Sequence, residues 1–283
     1  MRVVSLIKVI GWDNKQGALI PSSMPHEIKN FTKAEGRKLL KDTGAYFIRW
    51  NSSFDIDEDN GFWYVIKESH GGLEELSKKM RNQVKRGLRH FYIELINPET
   101  MLDSLFDVYV RASERYSTFE KIMTKNEFYN FIINLDLKKY EFFGAFSIED
   151  DCLVAYSQNL VESRCCFYEE MFFHPAHLKN YCSYALIFEM NKIYLNDRQF
   201  RYIHDGSRSL SHETAIHEFL ISKFKFRKAF SKMEIRYRWD VKLVCFFLYP
   251  YRNLIYKINR GVFKKVSVLL RHEEIARKKK GGL

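Results

Sequence analysis

The sequence predicts an α+β chain built on a mixed sheet, and two observations carry that expectation. Between Cys152 and Gly206 the spacing of apolar residues changes twice, from alternation to helical period and back. Around that stretch the segments run strand, two helices, three antiparallel strands, helix, strand, helix, strand, an order that segregated all-α or all-β chains do not produce.

Taken in order, Val3 to Ile10 is expected to be a strand and Ile20 to Pro25 a turn-rich break. A helix is expected from His26 to Lys41, stopped near Gly44, and a strand from Ala45 to Trp50. The acidic run Asp55 to Gly61 resembles a calcium loop, but the position that needs a glutamate falls on Ile66, so it reads as a solvated connection and no metal is expected. Phe62 to Lys67 is a strand, His70-Gly71-Gly72 a hinge, and Leu73 to His90 a basic helix with Leu73, Leu76, Met80, Val84 and Leu88 at helical spacing. Arg81 and Lys85 lie four apart on its wetter side and could grip one anion together.

Phe91 to Ile96 is then a strand, Met101 to Tyr116 and Lys125 to Leu135 are helices, and Glu141 to Ile148 is a strand. Cys152 to Val161 and Arg164 to Phe173 are aromatic and β-branched runs joined only by Glu162 and Ser163, so they should pair antiparallel. Alternation puts Tyr168, Glu170, Phe172 and His174 on one side of the second run and Glu169, Met171 and Phe173 on the other. Leu178 to Leu195 carries the wide apolar stripe of a helix packed on a sheet. Arg201 to His204 is a strand closing at Asp205-Gly206, Ser211 caps a helix from His212 to Lys223, and a last strand runs through Phe230 to Tyr237. A strand ending at Pro175 and feeding a helix aims that helix's free N–H groups above the sheet, and the active site is expected there.

The balance of 46 Lys and Arg against 35 Asp and Glu, a net charge of +11, concerns partners: nucleic acid, anionic lipid or a phosphorylated small molecule. Five cysteines without a C-x-x-C spacing indicate neither a disulfide framework nor a zinc site, and reduced cytoplasmic thiols are the simplest reading. The apolar run after Arg2 is interrupted by Lys8 and lacks a cleavage site, so no signal peptide is expected, and no window is apolar enough to span a membrane. Neither G-x-S-x-G nor a P-loop occurs, which leaves hydrolase and kinase readings without an anchor. From Asp240 to the end, bulky apolar residues alternate with Lys and Arg. Either Val241 to Tyr249 packs on the sheet, the preferred reading, or Phe246, Phe247, Leu254, Ile255 and Phe263 lie on an anionic inner-membrane surface.

The order of elements from Phe91 to Tyr237 resembles the GCN5-related N-acetyltransferase (GNAT) fold. In that superfamily a strand ending V-x-P leads into R-x-x-G-x-G or A, whose amides cradle the pyrophosphate of an acyl-coenzyme A. The matching residues are Phe173-His174-Pro175, Leu178, Tyr181 and Ser183; Leu178 replaces the basic residue and Tyr181 the middle glycine. The resemblance implies acyl-CoA as co-substrate, held by Phe173, Lys179, Asn180, Tyr181, Cys182 and Ser183. The segments Leu76 to Arg81, Val84 to Leu88, His204-Asp205-Gly206 and Lys223 to Phe230 look like the FemAB-like branch, which acylates amines of cell-envelope precursors or sugars. That implies a reduced first lobe over residues 1–90, a catalytic domain over 91–239 and a basic extension over 240–283. The implied acceptor is an anionic small molecule such as a nucleotide-linked or lipid-linked amino sugar. No long heptad run supplies the arm that some tRNA-dependent Fem enzymes carry, which argues against nucleic acid as partner.

Acyl transfer to an amine needs a base, a polarised carbonyl and a proton source for the thiolate. Glu170 and His174 are candidate bases, and His204-Asp205, at the neighbouring strand's end, is a second candidate pair. Tyr181 and Tyr184 are candidate acids, while Lys223 and Arg227 would suit an anionic acceptor.

Overall fold

The computed structural model describes residues 11–15, 17–114, 122–210, 215–258 and 260–278. The strand expected at Val3 to Ile10 and the Ser211 cap lie outside them. In chain order the elements are β1 (Trp12–Lys15), β2 (Ala18–Pro21), α1 (Lys33–Thr43), β3 (Phe47–Ile56), β4 (Trp63–Lys67), α2 (Lys78–His90) and β5 (Phe91–Ile96). There follow α3 (Leu102–Ser113), α4 (Lys125–Ile133), β6 (Tyr140–Ser147), β7 (Leu153–Glu162), β8 (Cys165–Phe173), α5 (Cys182–Lys192) and β9 (Tyr202–Ser207). The chain continues with α6 (Ala215–Phe224), β10 (Arg227–Tyr237), α7 (Trp239–Leu248), α8 (Arg252–Ile255) and α9 (Gly261–Lys278). Strands and helices intermingle as the α+β expectation requires. They fall into two discontinuous compact units, one made of the chain up to Tyr64, Ser207–Ala215 and the chain from Lys228, the other of Val65–Gly206 and Ile216–Arg227.

In the first unit the strands run β1-β2-β3-β10. α1 opens seven residues later than expected, at a capping box in which Thr32 and Glu35 satisfy each other's amides, and closes at Gly44 with φ 65°. β3 extends six residues beyond Trp50 because β10 pairs along its whole length, from Phe47↔Tyr237 to Ile56↔Phe230. The start of the acidic run is therefore strand, and Asp59 and Asn60 spend side-chain oxygens on the amides of Gly61 and Phe62. Leu19, Leu40, Ala45 and Ile48 form one core cluster, and Phe62, Leu210, Met233 and Ile275 another. α9 thus belongs to the core, whereas α7 buries only Val241 and Cys245.

Behind that core His272 Nδ1–H donates to the Val268 carbonyl at 2.8 Å, which leaves Nε2 to accept from Arg49 at 3.4 Å. Burial, and then the Arg49 charge, push His272 down to about 3. Unfolded, this imidazole takes up its proton near pH 6.5. Stability is therefore present above pH 6.5 and lost as pH falls towards 3, by at most about 1.4 kcal/mol per pH unit from one group. His272→Gln is expected to flatten that part of the stability profile in urea melts between pH 4 and 7.

In the second unit the order is β9-β8-β7-β6-β5, antiparallel except for β8 with β9. The β7–β8 turn is Ser163-Arg164, one residue later than expected, with φ 53° and 56°, the left-handed pair that matches the twist of a hairpin. α3 and α4 cover one sheet face through Leu105, Val108, Phe128 and Ile132 on Phe142 and Tyr156. Phe143, the next residue of β6, meets Tyr194 just beyond α5, so α5 covers the other face. α2 begins at Lys78 rather than Leu73, because Ser77 caps it by accepting from the Met80 amide. The preceding turn is braced by buried Lys67, 2.9 Å from Glu75, with His70 at 3.5 Å. Burial would raise Glu75, but bonds from His70 and Lys67 outweigh it and hold the carboxylate at about 2. Among the described residues no helix is long and apolar enough to cross a membrane.

Candidate active site

The second unit's sheet opens between two parallel strands. β8 and β9 pair only at Cys165↔Tyr202, Cys166↔Ile203 and Phe167↔His204, after which β8 continues against β7 alone. The vertex is filled by the His204 ring stacked on Phe167 at 4.6 Å and 6°, with Nδ1 accepting the Gly206 amide. His204 is thus buried in the wedge.

The alternation expected along β8 is broken where it opens. Asn159 pairs with Tyr168 and Gln158 with Glu170, so Glu169 is the extra residue of a bulge. Tyr168 consequently faces α5, its hydroxyl on Asn191 at 3.0 Å, whereas Phe172 packs on Tyr109 of α3. Glu170, paired beside Phe172's partner, is exposed and on the opposite face from Tyr168. A bulge re-aims the side chains that follow it, and here it puts Glu170 on the face opposite Tyr168.

Burial, and after it the charge of Glu170, push Asp205 well above the ordinary carboxylate range. Both causes act in the same direction, against the charged form of Asp205. His217 of α6 sits against Asp205, Nε2 3.0 Å from its carbonyl and 3.3 Å from Oδ2. The carbonyl can only accept, so Nε2 carries the hydrogen. Burial depresses His217, and the contact fixes the Asp205 carboxyl.

The helix mouth is the other half of the site. Pro175–Asn180 forms a tight 3₁₀ turn in which His174 Nδ1 accepts the Ala176 amide. α5 therefore opens at Cys182, four residues after the expected Leu178. Tyr181 adopts φ 66°, ψ 36°. The left-handed region costs a residue with a side chain about 1–2 kcal/mol. Cys182 and Ser183 are buried, with their amides directed at the Cys182 sulfur; burial pushes that thiol up to about 12. Lys179 is exposed and Asn180 half-buried at the turn.

α2 walls the mouth. A Cβ at Gly87 would lie 2.6 Å from the Tyr181 carbonyl, so only glycine lets the helices approach this closely. The adjoining Arg86 guanidinium sits 5.4 Å over the Tyr181 ring. Of the other cations expected here, Arg81 pairs with Glu74 at 3.3 Å, and Lys85 is exposed one residue from Arg86. Arg227 grips Glu68 with Nε at 3.0 Å and a terminal nitrogen at 2.6 Å, and Lys223 is half-buried near the end of α6. Tyr184 packs edge-on against Tyr181 at 5.2 Å. The structure thus brings together Asp205 and His217 at the end of β9, leaves Glu170 exposed on β8 past the last β8–β9 pair, and brings together Tyr181, Cys182, Ser183 and Arg86 at the helix mouth. Arg86 and His217 escaped sequence reasoning. A glycine forced against a loop would have marked Arg86, and a histidine set beside the stripe Ile216, Leu220, Phe224 would have marked His217.

No family model and no curated protein matches the sequence. Among solved structures the chain is similar to FemX, with a TM-score of 0.51 and 10% identity over 69% of this chain and 73% of that one. It is also similar to the C-terminal domain of a putative lysylphosphatidylglycerol synthetase from Agrobacterium fabrum, with a TM-score of 0.49 and 12% identity over 82% of each chain. A third is L-PGS from Bacillus licheniformis, with a TM-score of 0.47 and 12% identity over 94% of this chain and 85% of that one. At these identities the likeness is one of architecture, and the chain has a GNAT-like α+β fold similar to that of FemX.

Proposed function

We propose that the protein is an N-acyltransferase that moves an acyl group from an acyl-CoA thioester to the amine of an amino sugar or related envelope precursor. The observation that carries this reading is the opening between β8 and β9, where the bulged strand exposes Glu170 and the end of β9 holds Asp205 against His217. Arg86, over the Tyr181 ring, and Lys179, exposed on the turn before α5, supply the charge for an anionic carrier at the mouth, while the amides of Cys182 and Ser183 are taken up by the Cys182 sulfur. Phe173, Lys179 and Asn180 would flank the carrier. Glu170 takes one proton from the incoming ammonium, the amine nitrogen bonds to the acyl carbon as the carbon–sulfur bond breaks, and the departing thiolate takes up the second proton of the nitrogen, while His217 holds Asp205 in place at the end of β9. A CoA donor suits a cytoplasmic reaction.

The test is release of free thiol from acetyl-CoA on adding amino sugars and nucleotide-linked amino sugars. Amine-dependent release supports the reading. Tyr181, whose side chain stands where the CoA loop carries glycine, favours a second one, an aminoacyl-tRNA donor, which predicts no thiol release and binding that falls steeply with salt.

Asp205 also makes a prediction that needs no substrate. Its folded pKa lies above its unfolded value, so the folded state keeps a proton that the unfolded chain has lost. Stability therefore declines as pH rises from about 3.8 towards the folded pKa. Asp205→Asn, which still accepts from His217, is expected to raise Tm relative to wild type progressively from pH 4 to 7, read by thermal melts.

A further inference from the structure

α7, in the first unit, is apolar on both sides. Val241 and Cys245 point inward, whereas Trp239, Leu243, Phe246 and Phe247 recur at the i, i+4, i+7, i+8 spacing of a single stripe on the outside. They are not grazing exposures: Trp239 is 75% exposed, Phe246 66% and Phe247 64%. The stripe has company in the segments that follow, with Leu254 of α8 at 63% and Val262 in the first turn of α9 at 73%. A helix apolar all round belongs in an interior, and monomeric proteins rarely leave contiguous apolar patches of this kind bare.

What covers the patch is indicated by charge. Residues 241–272 contain seven Lys and Arg and no Asp or Glu. Lys242, Lys257, Arg260 and Lys265 are exposed, whereas Arg252 and Arg271 lie over the rings of Tyr249 and Tyr256. A protein interior would not need that collar of cations, and a nucleic acid would not need the phenylalanines. Large exposed apolar side chains interspersed along the chain with long cationic ones, with Trp and Tyr among them, fit the boundary between acyl chains and anionic headgroups. There the rings enter the apolar layer and the Lys and Arg stems reach back to phosphate.

We propose that the outer face of α7, with Leu254 and the start of α9, is a docking surface for an anionic phospholipid membrane. The chain lies on the bilayer and does not cross it, since α7 is ten residues long. The proposal does not rest on the acyl-transfer reading, because it uses no residue of that site.

The experiment is sedimentation of the full chain with vesicles of phosphatidylcholine alone and of phosphatidylcholine with 30 mol% phosphatidylglycerol. Binding to the second at 0.1 M salt is expected to exceed binding to the first at least tenfold and to weaken as salt rises. Phe246→Glu/Phe247→Glu, both on an exposed helix face, is expected to abolish it with the circular dichroism spectrum unchanged. Lys257→Glu/Lys265→Glu is expected to weaken it by about fivefold or more for each lysine. Equal sedimentation with both vesicles, or none with either, overturns the proposal. So does a dimer in analytical ultracentrifugation that Phe246→Glu/Phe247→Glu converts to monomer without vesicle binding by the wild type, because a second copy then covers the face. Thiol release from acetyl-CoA by the vesicle-free protein should be the same in both variants, which separates failure here from failure of the catalytic reading.

Discussion

Glu170→Gln is expected to lower kcat by about two to four orders of magnitude, the contribution of a positioned general base. Glutamine keeps the size and the hydrogen-bonding edge of the side chain, and Glu170 is exposed, so the fold should not register the change. Two further readouts separate a catalytic role from a supporting one. Removing the Glu170 charge removes one of the two causes that raise Asp205, so Asp205 should titrate at lower pH in the variant. His174→Gln should leave kcat within a few-fold, because the His174 ring caps the turn before α5 and glutamine oxygen can accept the same amide. Unchanged kcat in Glu170→Gln, measured at saturating amine, would exclude the carboxylate from the reaction.

Gly87→Ala should give the largest effect on stability and on donor binding together. In an open helix this change gains about 1 kcal/mol. Here the new methyl would meet the Tyr181 carbonyl at 2.6 Å and the Ala185 Cβ at 3.2 Å, backbone and helix face with no flexible side chain to yield. Overpacking of this sort costs about 1–3 kcal/mol. α2 must therefore move off α5, which carries Arg86 away from the helix mouth. A fall in Tm of several degrees and at least tenfold weaker acetyl-CoA binding are expected, the first by calorimetry and the second by titration. A Tm that rises, as for an unconstrained helical glycine, would show that α2 does not abut the loop.

The run from β5 to β9 was legible because each segment carries its own period and the connections are short. Phe91–Ile96 was expected to the residue, and β7 and β8 within one. What escaped depends on distant partners. β3 reaches Ile56 only because β10, almost two hundred residues away, pairs with it. The first turn of the expected helix at Leu178 has apolar residues at the right spacing, yet Pro175 locks a 3₁₀ turn and Tyr181 turns left-handed, so α5 opens later. At the site, Glu170 was visible as a strand carboxylate, but its face was misassigned with Tyr168's because no local signal marks the bulge at Glu169. His217 was hidden in an ordinary helical pattern, since its role exists only through Asp205 on another element. In the tail, composition indicated both packing and a membrane surface, and the structure divides them residue by residue: Val241 and Cys245 inside, Phe246 and Phe247 outside.

On this account the start of α5 holds a phosphorylated acyl carrier. Titration calorimetry of the full chain with acetyl-CoA, repeated with Arg86→Ala, tests it most directly. One site per chain, with affinity at least tenfold weaker in Arg86→Ala, is the predicted result. No heat at millimolar acetyl-CoA, or binding indifferent to Arg86, would contradict it.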